Sequence, residues 1–164
     1  MAMEQQNSVY VKMMVDVLKR KEWILSDLLE KTREQESLLK QEEMNQERFQ
    51  EILEEKGTLI EELNNIDEGF DALFKKVEKE IVSHRECYQA SIEEMQNRIG
   101  IVSDLGLRIQ ALESQNSEHL KVYLALQRKR IREFHVNSKT ASSYYQNMAN
   151  AHRPEQSYYF NEKK

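Results

Sequence analysis

The sequence has few of the residues that turn or cross-link a polypeptide chain. Its 164 residues include only 4 glycines, 1 proline and 1 cysteine. Glycine and proline are the usual residues of turns, so their scarcity favours long uninterrupted helices. The single Cys87 excludes an intramolecular disulfide and a cysteine zinc cage, which agrees with a reducing compartment or with a protein that is indifferent to redox conditions. We expect a cytoplasmic location.

Long hydrophobic runs are also missing. Hydrophobic residues make up 39% of the chain and charged residues 32%, and the mean hydropathy is -0.80. Charged residues interrupt the first 18 positions, and no run reaches the roughly 18 apolar residues that span a bilayer. We therefore predict neither a signal peptide nor membrane insertion, and we expect a soluble protein whose apolar residues form narrow stripes.

Charge is divided unevenly along the chain, although the net charge is only -5. Residues 1–115 carry 15 basic and 25 acidic side chains, whereas residues 116–164 carry 9 basic and 4 acidic ones. An acidic body opposes nonspecific binding to nucleic acid, and the basic end suits acidic partners.

Apolar residues recur at helical spacing in three regions. The first helix is predicted from about residue 8 to residue 40, where Val11, Leu18, Leu25, Thr32 and Leu39 lie seven residues apart. The second helix is predicted from about residue 45 to residue 83 and has the most regular apolar spacing. Asn45 is its predicted N-cap.

The third helix is predicted from about residue 88 to residue 135. Ser91 and Glu94 have the spacing of a capping box near its start. Two of its residues, Gly100 and Gly106, predict either a bend or close packing against a neighbouring helix.

Short connections between three long helices predict an all-α, elongated antiparallel three-helix bundle or coiled coil over residues 1–136. A long hairpin with a partly free third helix fits the same periodicity. Residues 137–164 lose the heptad spacing, so we expect a flexible C-terminal tail. A short helix at residues 140–151 is compatible with its sequence, because Pro154 would end it.

Catalytic and metal sites are not indicated. Glu80, His84 and Cys87 would share one helical face, but the second helix is expected to end there and no fourth zinc ligand is evident. The sequence has no Glu-x-x-His pair for a di-iron site and no phosphate-binding loop. We therefore predict no enzyme activity, no metal and no cofactor.

The basic residues around Arg128–Arg132 are compatible in principle with nucleic-acid binding. The same segment carries an apolar face that needs a protein partner, and cations suit a helix C-terminus. A nucleic-acid partner is therefore not predicted. Asn116 takes a position where the heptad calls for an apolar residue. This indicates either a buried amide that fixes helix register or meets a partner's backbone, or a local rotation toward water.

Three passages have a recognisable pattern: Leu25–Lys40 with its paired leucines, Ile52–Leu63 with the spacing Glu-Lys-x-x-Leu-Ile-x-x-Leu, and Ile109–Asn116 ending in asparagine. Together they resemble the FlgN family of flagellar type III export chaperones. The resemblance covers about residues 9 to 135.

The resemblance implies a cytosolic chaperone that binds the C-terminal helical region of hook-associated proteins, prevents their premature assembly and delivers them to the export apparatus. The apolar face of the late third helix would accept an amphipathic client helix. The residues expected to contact partners are Asn116, Leu120, Tyr123, Leu124, Gln127, Ile131 and Phe134, with Tyr144, Tyr145 and Met148 as further candidates. A structural coiled-coil adaptor or homodimer without a client is the alternative.

Overall fold

The computed structural model describes residues 2–134 and contains three long α-helices in this range. They are α1 (Ala2–Leu39), α2 (Gln46–Ser83) and α3 (Gln89–Phe134), with a 3-10 turn at Arg85–Tyr88 before α3. The predicted all-α three-helix bundle is confirmed. The proposed tail at 137–164 and its short helix lie outside the described residues.

The helix ends follow local hydrogen bonding. Asn45 caps α2, because its side-chain oxygen accepts a hydrogen bond from the Arg48 backbone N–H at 3.0 Å. α2 ends at Ser83, and the following His84 N–H still donates to the Glu80 carbonyl at 2.9 Å. The predicted capping box at Ser91 does not start α3, which begins two residues earlier.

The first helix begins six residues before its predicted start. Residues 2–7 include Met, Glu and Gln, which are good helix formers, but no apolar repeat marks them. Gln6 donates a side-chain hydrogen bond to the Tyr10 hydroxyl at 2.9 Å, one turn along the helix. Helix propensity without periodicity therefore accounts for the extension.

α1 is the central helix of the bundle. It packs against α2 and against α3, whereas within the described residues no Cα atom of α2 lies within 8 Å of a Cα atom of α3. Successive helices are antiparallel, so α3 runs parallel to α1. Because α2 and α3 meet only through side chains, the space between them is wider than a normal helix contact.

Three apolar clusters lie along the bundle. The first, near the α2–α3 connection, centres on Val11, Met14 and Val77. The middle cluster includes Ile24, Leu25, Leu63 and Ile109. The third, near the α1–α2 connection, contains Phe49, Ile52, Leu120 and Leu124.

α3 continues as one helix through Gly100 and Gly106. Gly100 is exposed, and a Cβ atom built there would meet nothing within 4 Å, so close packing does not explain this glycine. Gly106 is buried. Among the described residues, none of the helices has an apolar stretch long enough to cross a membrane.

Candidate functional site

An open apolar groove separates α2 from α3 near the α2–α3 connection. It encloses a cavity of about 510 Å³. We call it the α2–α3 groove, with walls formed chiefly by Ile66, Phe70, Phe74, Ile81 and Val82 of α2 and by Ile92 and Ile99 of α3, over a floor that includes Met14 and Leu18 of α1.

The α2–α3 groove leaves large apolar side chains in contact with water. Phe74 is 40% exposed and Val82 is 73% exposed. Phe74 lies at helical spacing with the other apolar residues of α2, but no Cα atom of α3 in the described range lies within 8 Å of a Cα atom of α2, so Phe74 stays partly uncovered. An exposed apolar surface with partly polar edges is typical of a protein interaction site.

Charged groups lie at defined places in the α2–α3 groove. Lys21 of α1 and Asp67 of α2 form an ion pair of 2.6 Å whose side chains are only 4% and 5% exposed. Asp71 lies on the α2 wall, and Arg85 lies at the end next to the α2–α3 connection. Arg85 makes no ion pair or side-chain hydrogen bond within the described residues.

A second buried set of polar groups joins all three helices in the half of the bundle nearer the α1–α2 connection. We call it the polar layer, and it consists of Thr32 and Gln35 of α1, Lys56 of α2, and Glu113 and Asn116 of α3, all of them buried. The Lys56 ammonium donates hydrogen bonds to the Glu113 carboxylate and to Gln35 Oε1, the latter at 2.6 Å.

Asn116 is fully buried in the polar layer, so the alternative in which it faces water is wrong. Its Nδ2 donates to the Thr32 carbonyl at 3.0 Å. Its Oδ1 and the Gln35 Nε2 have no hydrogen-bond partner among the described residues. Because such groups cost stability when buried, the layer is better suited to fixing helix register than to strengthening the fold.

Burial affects the charge of Lys56. Removal of the ammonium from water lowers the pKa of Lys56 below its ordinary value of 10.5, and the neighbouring Glu113 carboxylate opposes part of this shift. Loss of either side chain would therefore leave the other one buried without its counter-charge.

The predicted partner-binding residues of late α3 fall into three groups. Leu120 and Leu124 are buried inside the bundle, so the prediction that they belong to an incompletely covered apolar face is wrong. Asn116 is also buried, which agrees with the first of its two alternatives. Tyr123 and Gln127 are partly exposed. The side chains of the remaining predicted residues, Ile131, Phe134, Tyr144, Tyr145 and Met148, lie outside the described part, and a binding role for each predicted residue stays a prediction.

Tyr123 and Gln127 line a second cavity, of about 640 Å³, between late α3 and the α1–α2 connection. Tyr123 also accepts a hydrogen bond from Gln46 Nε2 at 2.9 Å. Two exposed apolar residues of this surface were not among the predicted partner-binding residues. They are Val122, 60% exposed, and Leu126, 54% exposed. They lie beside the predicted heptad positions, so a single heptad register does not identify them.

The possible metal ligands at the end of α2 do not form a site within the described residues. His84 Nδ1 lies 3.4 Å from Glu80 Oε1, and Cys87 is exposed in the 3-10 turn. No group of three His, Cys, Asp or Glu side chains in the described range has an arrangement that would hold a metal ion.

Sequence reasoning missed the buried charges at Lys21, Lys56, Asp67 and Glu113. A signal was present, because each lies between apolar residues of a predicted helical face. Lys56, for example, falls between Leu53 and Leu59.

Comparisons with protein-family models, curated proteins and solved structures found no match for this chain.

Proposed function

We propose that the protein is a cytosolic export chaperone that binds the C-terminal helical region of hook-associated flagellar proteins. It holds the client before assembly, prevents premature association and delivers the client to the type III export apparatus. In this function the protein is a helix-binding module and not an enzyme.

The observation that best supports helix binding is the α2–α3 groove. Its two walls supply aromatic and aliphatic side chains, and its floor is formed by α1. The apolar face of an amphipathic helix placed there would be removed from water on three sides, and this burial favours the complex against the free energy that is lost when the two partners are immobilised.

The flagellar assignment is supported by the resemblance of three passages to the FlgN family. These passages come from different helices, and the segments that contain them meet at the polar layer: Thr32 and Gln35 lie within the first, Lys56 within the second, and Glu113 and Asn116 within the third. Repetitive Leu and Glu residues alone are less expected to give three matching passages whose helices meet at one buried layer.

Co-purification tests the proposed function. The full chain is expressed with each hook-associated protein of the same organism, and recovery of the complex is measured by affinity purification and light scattering. We expect at least one of these proteins to form a stable complex. The same protein without its C-terminal helical segment serves as the control and should not bind.

Two results would contradict the proposal. In one, no hook-associated protein binds the chain. In the other, the truncated client binds as well as the complete one. A stable dimer of the chain that ignores all these clients would instead support the structural coiled-coil alternative.

A further inference from the structure

The α2–α3 groove has a defined length. Its α2 wall extends from Ile66 to Val82 and its α3 wall from Ile92 to Ser103. At a rise of 1.5 Å per residue these walls are about 24 Å and about 17 Å long. A helix that fills the groove therefore has about 11 to 16 residues, or three to four turns.

The cross-section of the groove also suits one helix. α2 and α3 each pack on α1 but do not approach each other, so an additional helix would lie between them and complete a four-helix arrangement. A helix of this length is marginally stable alone in water. Its ordering on binding costs free energy, which permits later release.

The electrostatics of the groove distinguish its two ends. The Lys21 and Asp67 charges neutralise each other at the inner end, where their atoms are 2.6 Å apart. Arg85 lines the outer end of the groove, next to the α2–α3 connection, and forms no ion pair in the described range. A helix has a partial negative charge at its C-terminus, so the favourable orientation places that end near Arg85.

We infer that the α2–α3 groove receives the last 11 to 16 residues of a client as an amphipathic helix parallel to α2, with the client's terminal α-carboxylate at Arg85. This inference rests on the proposed function and adds to it a site, a direction and a recognised group. A carboxylate and a guanidinium form a charge-assisted hydrogen bond, which a helix from the middle of a chain lacks.

The site is tested with two matched valine substitutions in the full chain. Val82→Asp places a charge in the groove, and Val9→Asp places the same charge on α1 outside the residues that line the groove; both valines are more than half exposed. Circular dichroism and urea unfolding check that both variants remain folded. We expect Val82→Asp to weaken binding of the co-purifying client at least tenfold, whereas Val9→Asp changes it less than twofold.

The direction and the recognised group are tested with peptides. The probe is a peptide of the 16 C-terminal residues of the co-purifying client, made with a free carboxylate or with a C-terminal amide. By fluorescence anisotropy we expect the free acid to bind two- to fivefold more tightly, as for an exposed ion pair. Arg85→Ala should abolish this difference, and Arg128→Ala, which changes an exposed arginine on late α3, should preserve it.

The outcomes separate the two proposals. If the client binds the wild-type chain but Val82→Asp has no effect, the groove is not the site although the chaperone function stands. If acid and amide peptides bind equally, the inferred direction and carboxylate recognition are wrong. If the chain instead forms a dimer that Val82→Asp dissociates, the occupant is a second copy, and if no hook-associated protein binds, both proposals fail.

Discussion

Lys56 of α2 and Glu113 of α3 form an ion pair in the interior of the bundle, with side chains 1% and 6% exposed. α1 takes part through Gln35, whose side-chain oxygen accepts a hydrogen bond from Lys56 at 2.6 Å. One ammonium group thus joins the three helices. The pair is also a direct link between α2 and α3, whose backbones do not approach each other.

Removing one charge of this pair should destabilise the protein strongly. Glu113→Gln keeps the shape of the side chain but leaves the Lys56 ammonium buried without its anion. We expect the free energy of unfolding to fall by about 3 to 5 kcal/mol, whereas the double variant Lys56→Met with Glu113→Leu should be close to wild type.

Urea unfolding followed by circular dichroism measures both effects. Glu118→Gln is the control, because Glu118 and Lys121 form a pair of 3.0 Å with both side chains at least half exposed. This variant should change stability by less than about 0.5 kcal/mol. A loss of equal size in the single and double Lys56 and Glu113 variants would show that the ion pair itself stabilises the fold.

The helices could be predicted from sequence because apolar spacing and capping are local signals. The spacing of Leu18 and Leu25 identifies α1, and Asn45 identifies the start of α2. The start of α1 lacks such a signal, because no apolar repeat marks the residues before Ser8. The all-α fold was therefore predictable, while one boundary was not.

The groove and the polar layer depend on how the helices are arranged. The heptad pattern gives Phe74 and Leu120 the same apolar character, yet Phe74 is 40% exposed and Leu120 is fully buried. The difference arises because α1 lies between α2 and α3 and leaves one side of each uncovered. Sequence periodicity does not specify which helix takes the central position.

Three exposed glycines in helix interiors give a second prediction. At Gly57, Gly69 and Gly100 an added Cβ would meet nothing within 4 Å. Each glycine-to-alanine substitution should therefore raise the free energy of unfolding by about 0.5 to 1 kcal/mol, since alanine restricts the unfolded chain and favours the helix. Thermal and urea unfolding measure the change.

Gly106→Ala provides the comparison for this series, because Gly106 is buried and the new methyl group must find space in a packed region. We expect a smaller gain there, or a loss. Destabilisation by all three exposed substitutions would indicate that α2 and α3 need flexible backbone at these positions.

A surface ion-pair network gives a third prediction, for the dependence of stability on pH. Glu55 lies 3.0 Å from the Lys31 ammonium and 3.2 Å from the Arg48 guanidinium. Its ion pair with Lys31 is the main cause that lowers the pKa of Glu55 below its ordinary value of 4.5. The same contact raises the pKa of Lys31 above 10.5.

Because the pKa of Glu55 is lower in the folded than in the unfolded chain, its ion pairs contribute stability above pH 4.5. This contribution is lost as the pH falls through the lower folded-state value. Glu55→Gln should therefore be less stable than wild type at pH 7, by less than about 1 kcal/mol because the site is partly exposed. The difference in stability between Glu55→Gln and wild type should disappear in strong acid. If the difference is unchanged at pH 2, the ion pairs of Glu55 are not its cause.

Two leucines of α3, six residues apart, give the last prediction. Leu120 is fully buried against the cluster around Phe49, whereas Leu126 is 54% exposed beside the α1–α2 connection. Leu120→Ala should lower the free energy of unfolding by about 2 to 5 kcal/mol, and Leu126→Ala by less than about 0.5 kcal/mol.

This contrast decides which variants can test partner binding by late α3. Loss of binding in a Leu120 variant would report a damaged core, whereas Leu126→Asp changes a surface that also includes Tyr123 and Gln127. If late α3 contacts the client as its sequence predicts, Leu126→Asp should weaken the complex while urea unfolding stays near wild type. Unchanged affinity in this folded variant would leave the α2–α3 groove as the site that accounts for binding.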